Sequence, residues 1–211
     1  MSSTRQYDYD SLQKQYLGSG LMAKKMKKVV SKIEGGDLLL DIGCGTGELL
    51  SRVKDRFRLL YGVDIDDDAI NLCSNRFCNY ENIRIVKCDV TELNEKFRGI
   101  KFDYVTALDI LEHLEPNIAR KCLKDIYILL KRGGRLIFTA PNWYDKIWIK
   151  LGKSPKHKFS HSSYGWAKMI GEVGFRILSI ETVDFPLIKS DFLTKRLHIF
   201  GMCPLIVAEK S

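Results

Sequence analysis

No apolar run in this 211-residue chain approaches the roughly 18 residues that a membrane-spanning helix needs. The stretch Met1–Asp10 is polar and lacks the apolar core of a secretion signal, so a cytoplasmic protein is the expectation. Cysteine is present at six positions, but its usual architectures are missing. Cys44, Cys73, Cys78, Cys88, Cys122 and Cys203 include no CxxC pair and no zinc-ligand spacing, so neither a metal centre nor a disulfide framework is expected. Reduced thiols packed as small apolar residues fit better. There is no internal repeat and no low-complexity linker. Nothing in the composition points to a disordered or fibrous chain, and a hydrophobic content of 45% suffices for one sizeable core.

Positive charge is in excess. Thirty-four Lys and Arg oppose 26 Asp and Glu, a net charge of +8. Such a balance suits an anionic partner or merely a soluble surface. Lys24, Lys25, Lys28 and Lys32 fall at helical spacing beside Met22, Met26, Val29, Val30 and Ile33, the pattern of an ordinary amphipathic surface helix. No aromatic residue interleaves with these lysines, which argues against a platform for single-stranded nucleic acid.

Strand and helix patterns then alternate. A helical stretch covers about residues 10–33, broken near Gly18 and Gly20. Strands are expected at Leu38–Ile42, Arg58–Val63, Asn82–Lys87, Phe102–Leu108 and Arg135–Ala140, the last after a Gly133-Gly134 turn. Helices are expected at Thr46–Asp55, Asp66–Arg76 and Pro116–Leu130, where Ile118, Cys122, Ile126, Leu129 and Leu130 form one apolar face. Beyond Pro141, residues 141–160 are irregular, basic and aromatic. Ser162 or Ser163 caps a helix through Val173 that Gly174 stops, and Phe175–Thr182 and Leu205–Ala208 close the series as strands. Alternation with short connections predicts an α/β layered fold with a largely parallel sheet. Residues 1–211 read as one domain: a helical extension at 1–35, a cofactor-binding core at 36–140, an acceptor-side lid segment at 141–165, and a closing helix and strands at 166–211.

The sharpest signal is Leu38-Leu39-Leu40-Asp41-Ile42-Gly43-Cys44-Gly45-Thr46-Gly47, a strand that turns through glycines into a helix. Glycine lets the backbone turn sharply and approach a ligand, and free N–H groups at the helix start face an anionic group. A phosphate loop of the form GxxxxGK[ST] is absent. A dinucleotide loop of the form GxGxxG needs a third glycine at position 48, where Glu48 stands instead. A carboxylate there suits a ligand ending in an amino-acid group better than one ending in a diphosphate. Asp41 would serve as an acceptor for its ammonium.

With these residues the chain resembles the class I S-adenosylmethionine-dependent methyltransferases, in particular the branch that includes the ubiquinone-pathway O-methyltransferases. The resemblance covers roughly residues 36–180. Asp41–Gly47 is similar to the family's first motif. Gly62-Val63-Asp64-Ile65, with Asp64 lying 21 residues after Gly43, matches the end of its second strand. Cys88-Asp89-Val90, the run Phe102–Leu114, Gly133–Phe138 and the Gly174-Phe175 pair follow in the family's order. The resemblance implies a Rossmann-like three-layer sandwich whose seven-stranded sheet is mostly parallel, with the last strand antiparallel. It implies S-adenosyl-L-methionine as cofactor and S-adenosyl-L-homocysteine as product. Asp41, Gly43, Cys44 and Gly45 would form the cofactor loop. Asp64 would bind the ribose hydroxyls with Ile65 against the adenine, as a carboxylate accepting two hydrogen bonds can. Asp89 would take the adenine amino group with Val90 lining the ring, and Leu108 would approach the methionine part. Asp89 also suits a helix cap, and both roles stand.

A sulfonium is already an activated methyl donor, so a general base is needed only for a protonated nucleophile. His113, just past the fourth strand at the edge where ligands bind in open α/β sheets, is the candidate for that base, with Glu112 as an alternative. A packing role suits His113 equally. His157 and His161 stand four apart, but Lys158 excludes an HExxH metal motif. With Trp143 and Tyr144 they are candidates for the acceptor pocket. Ile147, Trp148, Ile149 and Leu151 among Lys146, Lys150 and Lys153 would equally suit a packed lid or peripheral contact with a membrane surface. A small-molecule acceptor is the favoured partner. RNA or protein remains the alternative acceptor and a non-catalytic cofactor-binding module a third reading. Asp109-Ile110-Leu111-Glu112 stands where base-modifying relatives carry an Asn/Asp-Pro-Pro-aromatic motif, so nucleic acid is disfavoured. The sequence carries no reading of oligomeric state.

Overall fold

The computed structural model describes residues 20–141, 158–183 and 203–211. Helix α1 (Gly20–Val30) leads into strand β1 (Gly36–Ile42), helix α2 (Glu48–Val53) and strand β2 (Phe57–Asp64). Then come α3 (Asp67–Arg76), β3 (Ile83–Lys87), α4 (Leu93–Lys96), β4 (Phe102–Leu108), α5 (Pro116–Leu129) and β5 (Leu130–Thr139). Helix α6 (Ser163–Glu172), β6 (Phe175–Thr182) and β7 (Pro204–Lys210) complete the order. Short 3₁₀ turns occupy Lys54–Arg56 and Leu111–His113.

The strands form one seven-stranded sheet in the order β3-β2-β1-β4-β5-β7-β6. β3, β2, β1, β4 and β5 pair in parallel, while β7 runs antiparallel to both β5 and β6. This is the largely parallel α/β layering that the alternating pattern implied, in the seven-stranded Rossmann-like form with its last strand antiparallel that the resemblance implied. Order reverses at β1, which lies between β2 and β4, and an open α/β sheet forms its ligand crevice at such a reversal.

Side-chain alternation along the strands builds two cores. Leu40 and Ile42 of β1, Val105 and Ala107 of β4, Leu136 and Phe138 of β5, and Ile206 and Ala208 of β7 face α4, α5 and α6. Leu39, Tyr104, Ile137, Leu205 and Val207 face the other way, toward α1, α2 and α3. Each central strand is therefore apolar on both sides, as a sheet covered by two helix layers requires. Helix α5 buries Ala119, Cys122, Leu123, Ile126 and Leu129, three or four residues apart. Asp125 falls near this stripe and is neutralised by Lys121 one turn away, at 2.7 Å.

The differences from the sequence reading have local causes. Strand β1 starts two residues earlier than expected. Helix α2 starts at Glu48 rather than Thr46, because the loop closes on itself with Gly47 N donating to Cys44 O at 2.9 Å. Asp66 is the cap of α3, accepting from Ala69 N at 3.0 Å. The four-residue α4 carries too little sequence for a period, and no helix was expected there. Strand β5 begins at Leu130, directly on the end of α5. Its pairing slips around Gly133-Gly134, where Phe102 faces Leu130 but Tyr104 already faces Arg135. Ser162 is the serine that caps α6, accepting from Gly165 N at 3.1 Å. Residues 10–19 of the proposed first helix lie outside the described residues. Among the described residues, no helix is long and apolar enough to cross a membrane.

Trp166 anchors α6 on the sheet. It is fully buried, its ring lies 5.1 Å from those of Phe138 and Phe159, and its Nε1 donates to Pro141 O at 3.3 Å. Trp166→Ala should cost about 3–5 kcal/mol in denaturant unfolding, a large part of a domain's stability. Tyr164→Ala on the same helix, at 69% exposure, should stay within about 0.5 kcal/mol of wild type.

Candidate active site at the carboxyl edge of the sheet

Parallel strands bring their carboxyl ends to one edge, and the turns that leave them line it. At the end of β1, Gly43 N and Cys44 N both donate to Val63 O of β2, at 2.8 and 2.9 Å. This pins the loop across the neighbouring strand. Two glycines there are required for different reasons. Gly43 has φ of +70°, and a Cβ on it would overlap the Ile110 side chain. Gly45 has φ of +52°, but a Cβ there would meet nothing within 4 Å. The first glycine makes room for a protein neighbour. The second leaves bare backbone facing open space, as a ligand-binding loop requires.

Asp64 ends β2 beside this loop. Its Oδ2 accepts from Gly45 N at 3.0 Å and its Oδ1 from Asp66 N at 3.1 Å. A carboxylate offers about four acceptor sites, so two amide bonds leave capacity for two hydroxyls. Next to it, Ile65 is 61% exposed, an unusual state for isoleucine at a strand end. Asp89 follows β3, the neighbouring strand. Its Oδ1 accepts from Thr91 N and Thr91 Oγ1, at 2.8 and 2.7 Å. The turn-stabilising role thus occupies one oxygen and leaves Oδ2 for a further donor. Val90 is partly buried against the core. The Cys44 side chain points into the core beneath the loop, with a hydrogen bond to Cys73 and burial raising its thiol pKa above the ordinary range. What Cys44 presents to the loop is backbone.

Asp41 lies beneath these groups at 3% exposure, with Thr106 Oγ1 donating to its Oδ1 at 2.6 Å. Burial pushes its carboxyl up to about 7, against the Thr106 hydrogen bond and with help from the Asp64 charge.

On the other side of β1, Leu108 ends β4 half-buried, and the chain then turns through Asp109, Ile110 and the Leu111–His113 3₁₀ turn. His113 is exposed at the rim, its Nε2 lying 3.9 Å from Glu112 Oε1. Glu112 itself is fully buried. Lys158 N donates to Glu112 O at 2.7 Å, so the segment entering α6 is tied to the His113 turn. His161 packs edge-on against Trp166 and Phe159, at 5.2 and 5.4 Å between ring centres. Trp143, Tyr144 and His157, with the aromatic and basic run 146–153, lie outside the described residues.

The structure therefore gathers Asp41, Gly43, Gly45, Asp64, Ile65, Asp89 and Leu108 along one edge, with His113 on the rim. Two residues escaped the sequence reading. Asp109 has φ of +55° and is the one non-glycine residue with positive φ among those described. Its Oδ2 pairs with Lys25 of α1, and its Oδ1 accepts from Thr139 Oγ1 at 3.0 Å. Lys25 was grouped with surface lysines, yet it is 5% exposed. The surface-helix reading of α1 is corrected accordingly. Lys28 Nζ also reaches inward, to Thr182 O at 3.0 Å, and Lys32 Nζ to Glu181 Oε1 at 2.5 Å. A signal was available for Lys25: position 25 lies on the stripe 22, 26, 29, 33 that the apolar residues of α1 define.

Comparison with known proteins agrees with this geometry. A family model described as "Methyltransferase domain" matches residues 40–136, the stretch from β1 to β5. The ubiquinone biosynthesis O-methyltransferase of Coxiella burnetii is 25% identical over 170 residues, covering 74% of this chain and 71% of that protein. Over residues 40–136 the chain carries a methyltransferase domain and is similar to S-adenosylmethionine-dependent methyltransferases. Solved structures extend the likeness at the level of fold. A SAM-dependent methyltransferase from Archaeoglobus fulgidus superposes with a TM-score of 0.73 at 23% identity, covering 97% of this chain and all of that one, 100%. The N-methyltransferase NodS of Bradyrhizobium japonicum, solved with S-adenosyl-L-homocysteine, gives 0.71 at 16% identity, covering 96% and 97% of the two chains.

The buried carboxyl of this methyltransferase sets a pH dependence. The Asp41 pKa is raised on folding from 3.8 to about 7. The folded chain therefore binds more protons than the unfolded chain between those values, and stability falls as pH rises through that window. Asp41→Asn retains the Thr106 hydrogen bond and removes the ionisation. Its ligand-free form should melt a few degrees above wild type at pH 8, with the advantage lost at pH 4, as followed by thermal denaturation.

Proposed function

We propose that the chain transfers the methyl group of S-adenosyl-L-methionine to an oxygen or nitrogen of a small-molecule acceptor. The observation that carries the reading is Asp64. Its carboxylate is fixed by the Gly45 and Asp66 amides, beside bare glycine backbone on one side and an exposed isoleucine on the other. That constellation suits a nucleoside. In this reading Asp64 accepts the two ribose hydroxyls, Ile65 covers one adenine face, Asp89 Oδ2 takes the exocyclic amine and Val90 lines the ring. Asp41, Gly43, Cys44 and Gly45 form the cradle for the amino-acid end, with the ionised Asp41 accepting from its ammonium. Leu108 closes the methionine side.

The cofactor supplies an electrophilic methyl on a sulfonium, ready for in-line attack. The chain must hold the acceptor on that line, exclude water and, for a hydroxyl acceptor, remove a proton. His113 stands at the rim in the place for that base. The Glu112 carboxyl lies 3.9 Å from its Nε2. His161, Trp143, Tyr144 and His157 are the candidates for the acceptor wall. The Lys158–Glu112 bond supports this, because it brings the chain next to His161 up to the base. Residues 1–211 act in this reading as one domain, with 141–165 as its acceptor-side segment.

Two experiments test the reading. Calorimetric titration of S-adenosylhomocysteine should give saturable binding to wild type. Asp64→Ala should weaken it about 10- to 100-fold, the worth of one or two hydrogen bonds to a charged group. Equal affinity in both would remove Asp64 from the site. Incubation with methyl-labelled cofactor and a small-metabolite extract should label a low-mass product. On that acceptor, if it is a hydroxyl, His113→Ala should lower kcat by roughly 10²–10⁴ with little change in KM.

A further inference from the structure

Lys25 is buried on the apolar stripe of α1, where an ammonium is expensive unless paired. Its partner is unusual too. Asp109 is held in the left-handed region, which a non-glycine residue occupies only when its surroundings over-determine it. Four contacts do so. Lys25 Nζ meets Oδ2, Thr139 Oγ1 meets Oδ1, and Cys203 Sγ lies 3.9 Å from Oδ1. The fourth is Asp109 N donating to Thr139 O at 2.9 Å. One carboxylate thus joins α1, the end of β4, the end of β5 and the residue preceding β7. The next residue, Ile110, fills the space that a Cβ on Gly43 would need. A physical path therefore runs from α1 through Asp109 and Ile110 to the glycine loop.

We propose that Lys25 is a positioning residue for the cofactor. By neutralising Asp109 it holds the Leu108–Ile110 turn against Gly43 and sets cofactor affinity from the N-terminal helix. This rests on the cofactor site described under Proposed function. The electrostatics agree with the geometry. Burial by itself would depress the Lys25 ammonium, and the Asp109 charge and hydrogen bond together with Cys203 and Glu112 more than reverse it. Burial would likewise raise the Asp109 carboxyl, yet Lys25 and Thr139 keep it below its usual range. Removal of the lysine strands a carboxylate in a strained turn, and the turn must relax, carrying Ile110 with it. Removal of the carboxylate alone strands the buried ammonium. Removal of both charges leaves a neutral carboxamide in place of the Asp109 carboxylate. An asparagine side chain there still accepts from Thr139, and its backbone tolerates the left-handed region.

The test is a mutant cycle on the full chain, read by calorimetric titration of S-adenosylhomocysteine and by thermal melting. Lys25→Met and Asp109→Asn should each weaken binding about tenfold, the scale of coupling through a packed network. The Lys25→Met/Asp109→Asn double variant should return to within about threefold of wild type, because coupled residues do not add. A purely structural pair would lower the melting temperature and leave the affinity of the folded singles unchanged. That result overturns the proposal, as does a double variant no tighter than its singles. Should Lys25→Met not fold, Asp109→Asn against the double variant carries the same comparison. Absence of binding to wild type would instead defeat the cofactor site itself. Wild-type binding that Asp64→Ala weakens and Lys25→Met leaves intact would defeat the role of Lys25 alone.

Discussion

Carboxylates crowd the carboxyl edge of the sheet, and the site depends on how each is held. Asp41 is sunk beneath the loop on a single threonine hydroxyl, and burial favours its protonated form. Asp64 is fixed by two backbone amides that the glycine loop and the α3 entry turn toward it. Asp109 is neutralised by a lysine from a helix 84 residues away in sequence. Glu112 is buried under the rim histidine. Negative charges so close would repel one another unless donors met them. Donors to Asp41, Asp64 and Asp109 come from β4, the loop with the α3 entry, α1 and β5, so the edge forms only when these elements are in place. A site for a ligand that carries an ammonium and several hydroxyls needs such acceptors, already oriented.

The rest of the molecule holds that edge still. Central strands apolar on both faces fix the sheet between two helix layers, and register is then set by packing on both sides at once. The functional groups sit where the strands stop, so their positions inherit the rigidity of the cores while their side chains face outward.

Legibility in the sequence followed the range of the interactions. The glycine loop, Asp64 and the strand–helix alternation were readable because each is local: a turn needs glycine, a strand end needs a polar exit, and a period needs only one element. Strand β4 was delimited to the residue, since a mostly apolar stretch between Lys101 and Asp109 defines both ends. Helix α4 was missed because four residues hold barely one turn. The β5 boundary was displaced because a Gly-Gly turn and a slipped register look alike in one dimension. Lys25 and Asp109 were missed for a different reason. A lysine on an amphipathic helix normally belongs to solvent, and only the three-dimensional meeting with Asp109 reverses that expectation. The opposed faces of one residue, as with Cys44, whose backbone lines the loop while its thiol fills the core, are equally invisible in sequence.

Strand β7 is last among the seven in sequence, yet it lies between β5 and β6 in the sheet. Until residues 204–210 are in place, β5 presents an unpaired edge and β6 has no neighbour to bond to. Pairing of β7 closes the sheet, and a chain in which that strand is displaced carries an unpaired border of the kind that invites self-association. Because residue 203 touches Asp109, the same closing event also completes one wall of the cofactor edge. Assembly of the sheet and readiness of the site finish together.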